Sequence, residues 1–322
     1  MEIAISKTSK KINREDILSV LKSNYSTIGP LWISHQMDWK NSIYESYKDH
    51  DKFLIIAYLI KKTLDVNLKN FVNLSYDQLY SQDSVKVEKF NVIEIAKNNN
   101  IPKESARRKI IELEKMGIIK RNKANIIVDR SLYPSVSPMK SLKRISRFLS
   151  LFSNLLVEKK ILKYPLSSTH LQKIIEKNYS YIWKLYYEMQ IPMLLGYKNV
   201  FKDLETFHVY GTCVINQHLH TKIHSKNGNG LQLDRIKFIM STYSNKNIQG
   251  INAMSISDIT GIPRATVVRK LNILVKQKHL TIDDKKHYRI TGSFVKELIP
   301  IQNIVLNQLA IFSTKIYNLV TL

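Results

Sequence analysis

Two stretches of this chain align without a gap at a constant separation of 161 residues, half of its 322. Ile95, Ile101, Pro102, Arg108, Lys109, Leu113 and Lys115 recur as Ile256, Ile262, Pro263, Arg269, Lys270, Leu274 and Lys276. Ser105 and Thr266 are chemically alike, as are Lys103 and Arg264. Downstream, Leu149-Ser150-Leu151-Phe152-Ser153 resembles Leu309-Ala310-Ile311-Phe312-Ser313. A period this long points to two copies of one unit rather than to a stacked solenoid. Each half reads as a helix-rich, aromatic leader (Ile12 to about Leu79, Leu171 to about His224), a short helix, a turn, a second helix, a two-stranded ribbon and a closing helix. Pro165, Ser167 and Ser168 interrupt the helical pattern between the halves. The expected division is 1–163 and 164–322, with the helix-turn-helix at about 90–130 and about 234–292. Ser225 to Gly230, rich in Gly and Asn, separates the second leader from its helix pair.

Within each second helix the apolar stripe is Ala106, Ile110 and Leu113, or Val267, Leu271 and Leu274, the spacing of one helix face. Arg108 and Lys115, like Arg269 and Lys276, then point away from the core. The one Arg common to both copies is therefore not there for packing. Gly261 precedes Ile262-Pro263 where a positive φ is expected, and Asn100 holds the matching place. The proline suits the first turn of a helix, where its missing N–H costs nothing. The ribbons run from Gly117 through a polar tip at Asn122 to Asn125 and back through Ile126, and from Leu280 through Asp283 to Lys286 and back through Tyr288. Asp283 and Asp284 dilute the positive charge of the second tip.

Charge gives this pattern a partner. Lys and Arg number 50 against 26 Asp and Glu, a formal net charge of +24. A polyanion binder needs such an excess and a small-molecule enzyme does not. Arg can bond two acceptors on guanine or reach a phosphate, and Ser or Thr can meet either. The candidate DNA-binding residues are Lys103, Ser105, Arg107, Arg108, Lys109, Lys120, Arg121 and Lys123 in the first unit. In the second they are Arg264, Thr266, Arg269, Lys270, Lys285 and Lys286. Lys140, Lys143, Arg144 and Arg147 either extend the positive surface or solvate a helix.

The order of helix, Gly-Ile-Pro-type turn, second helix and hairpin resembles the winged helix-turn-helix domains of bacterial transcription regulators, the MarR and IclR families above all. The resemblance covers about 50 residues in each half. It implies a mainly α fold with small β-hairpin wings, two tandem winged helix-turn-helix domains in a pseudo-two-fold arrangement, and double-stranded DNA as the partner. It also implies that Ser105 and Arg108, or Thr266 and Arg269, face DNA, and that the helices at 140–160 and 296–320 are candidate pairing elements. Asn100 departs from the Gly usual in those families, and two domains in one chain depart from their single-domain subunit. A single-chain pseudo-dimer would then replace the homodimer. Plasmid replication initiators also look like tandem winged-helix pairs. A nucleoid-associated architectural protein fits the charge alone.

Other constellations are weaker. His208, His218, His220 and His224 offer a permissible metal pair but bring no acidic or Cys partner. Trp32, Trp39, Tyr44 and Tyr47, with Tyr179, Tyr181, Trp183, Tyr186, Tyr187 and Tyr197, suit an ordinary core, an interface between halves or an aromatic effector pocket. Nine Gly and no phosphate-loop, dinucleotide or nucleophile-elbow motif leave no catalytic case and no cofactor. The single Cys213 rules out an intramolecular disulfide framework. The longest apolar run, Phe53 to Ile60, is eight residues, against roughly 20 for a membrane span. With no signal peptide evident at the start, the expected location is cytoplasmic and nucleoid-associated.

Overall fold

The computed structural model describes residues 11–81, 84–87, 91–122, 125–129, 138–224, 235–244 and 249–321. It is mainly α-helical, with two small antiparallel sheets. In chain order come α1 (Arg14–Ser23), α2 (Tyr25–Tyr47), α3 (His50–Lys69), α4 (Tyr76–Tyr80), β1 (Ser84–Val87), α5 (Val92–Asn98), α6 (Lys103–Lys115), β2 (Ile119–Asn122), β3 (Asn125–Asp129) and α7 (Pro138–Glu158). There follow α8 (Ser168–Lys177), α9 (Tyr179–Phe201), α10 (Leu204–His224), α11 (Arg235–Ser244), α12 (Ala253–Thr260), α13 (Arg264–Lys276), β4 (Leu280–Ile282), β5 (Tyr288–Ile290) and α14 (Val295–Thr321).

The local signals that start and stop these helices occur in pairs. Both long helices, α2 and α9, have 23 residues and follow an Asn, Asn24 or Asn178, with nearly the same backbone angles. Both end on a lysine in the left-handed region, Lys48 (φ 52°) and Lys202 (φ 70°). An aspartate then opens the next helix: the Asp49 carboxylate accepts from the N–H groups of Asp51 and Lys52, and Asp203 from that of Thr206. Such caps satisfy backbone donors that the first turn leaves unpaired. Asn24-Tyr25-Ser26 matches Asn178-Tyr179-Ser180, and Lys48-Asp49 matches Lys202-Asp203, at a separation of 154 rather than 161. The leaders therefore share their local chemistry, and the seven-residue difference falls in the stretch between α3 and α5 and its counterpart between α10 and α12.

Packing crosses between the halves. α2 packs on α10 and α7, while α9 packs on α3 and α14. α14 also covers α1, and α7 covers α8. The apolar residues of these helices form one core. Its centre is aromatic. Tyr179, Trp183 and Tyr186 stack in sequence along α9, with centroids 4.9 and 4.8 Å apart. Trp39 of α2 meets Tyr186 edge-on at 5.7 Å, and Phe312 of α14 meets it at 6.0 Å. Edge-to-face pairs of this kind add to the gain from burial. The leader aromatics are thus chiefly core and contact between halves. The apolar faces of α7 and α14 are largely occupied inside the chain, with Leu142, Ile145 and Phe152, and Leu298, Leu309 and Phe312, buried.

The ribbons form as read, with one strand more. β3 pairs antiparallel with β2, Ile119 opposite Val128, and also with β1, a strand between the first leader and α5 that the sequence pattern does not announce. β4 pairs with β5, Leu280 opposite Ile290. A single bridge from Ile251 to Tyr288 occupies the place of a third strand there.

Candidate nucleic-acid interface

The two helix pairs are built from the same bonds. Asn100 has φ 49° and Gly261 φ 68°, the backbone expected of each. Only Gly adopts this region without steric cost, and Asn tolerates it better than most residues. Ile101 and Ile262, both buried, pin the two turns into the core. Pro102 and Pro263 stand one residue ahead of the helix rather than inside its first turn. Their carbonyls accept from the N–H of Ala106 at 2.9 Å and of Val267 at 3.0 Å. Ala106, Ile110 and Leu113 are fully buried, as are Val267, Leu271 and Leu274. Past each helix the chain turns back through Gly117 or Lys278, both at positive φ. The N–H of Ile118 then reaches the carbonyl of Leu113, and that of His279 the carbonyl of Leu274.

That packing leaves one row of each helix in solvent. Arg108 is 71% exposed, its Nε 3.8 Å from Glu112. Arg269 is exposed, with no ion pair among the described residues. Lys103 and Arg264 stand exposed at the two helix starts, and Ser105 and Thr266 are half-buried. Arg107 is exposed and donates to Glu104 at 2.9 Å. In the first ribbon Lys120 is exposed, and Arg121 bonds both oxygens of Glu114 at 2.6 and 2.5 Å. That bidentate bond raises the Arg121 pKa further. Lys123 lies outside the described residues, as does the 225–230 loop.

Lys109 and Lys270 sit differently from the rest. Each is turned inward. Lys270 is 7% exposed and donates to Asp203 at 2.6 Å. Lys109 is 13% exposed and pairs with Asp49. Both helices are thus tied to the start of the helix behind them, α6 to α3 and α13 to α10. As placed, these two lysines carry charge already matched by a carboxylate. The sequence held the signal, a Lys-Asp pair in each leader, but only the fold brings it under the second helix.

The second ribbon tip answers the question raised by its two acids. The Asp283 carboxylate accepts from the N–H groups of Lys285 and His287 and lies 3.9 Å from Arg289. It closes the turn, its pKa held down by those bonds. Lys285, Lys286 and Asp284 remain exposed at the tip.

The two outer faces differ in charge. On α6 the row Glu104, Arg107, Arg108 and Glu112 is ionic: Arg107 pairs with Glu104, while Glu112 bonds Lys52 of α3 at 2.8 Å and lies 3.8 Å from Arg108. On α13 the corresponding row is Ala265, Val268, Arg269 and Ile273, and the helix carries no acid. Among the described residues no group of three His, Cys, Asp or Glu could hold a metal, and the side chains of His220 and His224 lie outside them. No helix among the described residues is long and apolar enough to cross a membrane. No protein-family model, curated protein or solved structure matches the chain.

Proposed function

We propose that this chain is a sequence-specific double-stranded DNA-binding regulator, presenting two winged helix-turn-helix units of MarR or IclR type in a pseudo-two-fold arrangement. One observation carries the reading: Arg108 and Arg269 are exposed at the same position of matched helices, each entered through a left-handed turn and followed by a hairpin. An α-helix fits the major groove, and an exposed Arg on its outer row meets guanine acceptors or phosphate there. Lys285 and Lys286, exposed at the second hairpin tip, suit a wing that contacts the phosphate backbone. No catalytic or cofactor role is assigned.

The test is selection of bound sequences from a random duplex pool at fixed salt, using the whole chain. The regulator reading expects two related but unequal half-sites in inverted order, about 34–36 Å apart if they lie one helical turn apart. Recovery of unenriched sequence would leave an architectural role. Direct repeats beside a duplex that opens on binding would favour a replication initiator.

A further inference from the structure

The two exposed rows carry different chemistry, although the helices beneath them share a core stripe. Position by position, Glu104, Arg107 and Glu112 of α6 are replaced on α13 by Ala265, Val268 and Ile273. Ala265 is exposed, Val268 half-buried and Ile273 39% exposed, so an apolar strip runs along the solvent side of α13 beside Arg269 and Asn272. These residues line an open, shallow depression with Lys276 at its end. Core packing does not account for the strip, since Val267, Leu271 and Leu274 already fill the other face. Arg264, Arg269 and Lys276 surround it with unneutralised positive charge, which a protein-docking surface would not need and a phosphate backbone would.

Resting on the DNA-binding reading above, we infer that α13 reads thymine 5-methyl groups. Small apolar side chains on a helix in the major groove meet that methyl, and Asn is suited to the adenine edge opposite it. Ala265, Val268 and Ile273 are the methyl contacts, Asn272 is placed for adenine and Arg269 for guanine or phosphate. The half-site under α13 is therefore rich in A·T pairs. The half-site under α6, whose row is ionic, has no dependence on methyl groups.

Deoxyuridine in place of thymidine removes the methyl and nothing else. After selection, Arg108→Ala and Arg269→Ala each relax one half-site, which assigns the half-sites to helices. Duplexes with deoxyuridine in one half-site or the other are then titrated against the whole chain. Binding should weaken about fourfold for each methyl that α13 covers, the value for one buried methylene-sized group, and less than about 1.5-fold for the α6 half-site. An unchanged affinity in the α13 half-site, or an equal loss in both, overturns the inference while leaving sequence-specific binding intact. If selection enriches no sequence, the sequence-specific reading falls first and this one with it. A second variant, Ala265→Glu with Val268→Arg and Ile273→Glu, copies the α6 row onto the solvent side of α13, away from the buried Val267, Leu271 and Leu274. It should remove the methyl dependence and make the two selected half-sites more alike; an unaltered selected site would equally overturn the proposal.

Discussion

Lys270 of α13 donates its Nζ proton to Oδ2 of Asp203 at 2.6 Å, while Oδ1 of the same carboxylate accepts from the backbone N–H and the hydroxyl of Thr206. One side chain thus opens α10 and holds α13 against it. Lys109 and Asp49 repeat the arrangement between α6 and α3. The tie adds an ion pair to the inner face that Ala106, Ile110 and Leu113, or Val267, Leu271 and Leu274, already define.

Lys270→Met should therefore act on stability before it acts on binding. It removes one partner of a largely buried pair and leaves Asp203, which is 36% exposed, partly hydrated. A loss of about 1–2 kcal/mol is expected, below the range for fully buried pairs. Thermal melting of the full chain checks the stability loss. The salt dependence of DNA binding should change little, since this charge is already matched in the free protein.

Arg108→Ala and Arg269→Ala should show the opposite profile. Both side chains are exposed, so stability should stay within about 0.5 kcal/mol. Binding to the selected site should fall by about 1–3 kcal/mol for each. Lys140→Ala, on the exposed side of α7, is the control and should cost clearly less. Equal, small losses from all three would defeat the assignment of α6 and α13 as the reading helices.

Gly261 holds φ 68° with open space where a Cβ would stand, so Gly261→Ala meets a backbone cost and no clash. A destabilisation of about 1–2 kcal/mol is expected from the left-handed conformation alone. Equilibrium unfolding measures it. A neutral result would show that the turn relaxes to another conformation.

Lys40 is fully buried between the halves, its ammonium 4.7 Å from the Phe207 ring centroid, and burial lowers its pKa to about 7 despite the nearby Glu205. The folded chain then binds fewer protons than the unfolded chain between about pH 7 and the ordinary lysine value of 10.5. Stability from this group is present above 10.5 and is lost as pH falls through 7. Lys40→Met should raise the melting temperature most at pH 6–7 and progressively less toward pH 10. A gain independent of pH would mean that Lys40 is not the titrating group.

Burial also lowers the pKa of five histidines, His35 to about 3 and His218 to about 4, with His50 and His208 well below 6.5 and His279 also below it. Arg144 adds to the effect at His35, and Lys40 at His50 and His208. His50 and His208 share a hydrogen bond of 3.2 Å, and His208 meets Asn41 at 2.7 Å. All five depressed values make the folded form favoured above pH 6.5 and progressively less so as pH falls toward the folded values. The melting temperature should drop between pH 6.5 and 4, and His218→Phe, in an aromatic and aliphatic surround, should shallow that drop.

Much of the helix pair was legible in the sequence. Ala106, Ile110 and Leu113 announce a buried stripe because helical spacing puts them on one face, and the same spacing exposes Arg108 without further information. Asn100 and Gly261 announce their turns because few residues tolerate positive φ. β1 was not legible: four residues, Ser84 to Val87, carry too little alternation to announce a strand between the leader and α5. The fate of Lys109 and Lys270 was not legible either. Their neighbours Arg108 and Arg269 are of the same charge, and nothing local distinguishes a lysine in solvent from one that meets a carboxylate some 60 residues away.

The sequence by itself determined much of where helices begin and end, which face of α6 and α13 is apolar and that Arg108 and Arg269 stand opposite it, since those depend on residues within a few positions of one another. Only the tertiary structure decided which charges remain available, how the Trp and Tyr of the two leaders divide one core between them, and that Lys109 and Lys270 turn inward to Asp49 and Asp203. Those outcomes depend on distances between residues far apart in the chain, and burial and ion pairing act through space rather than along the sequence.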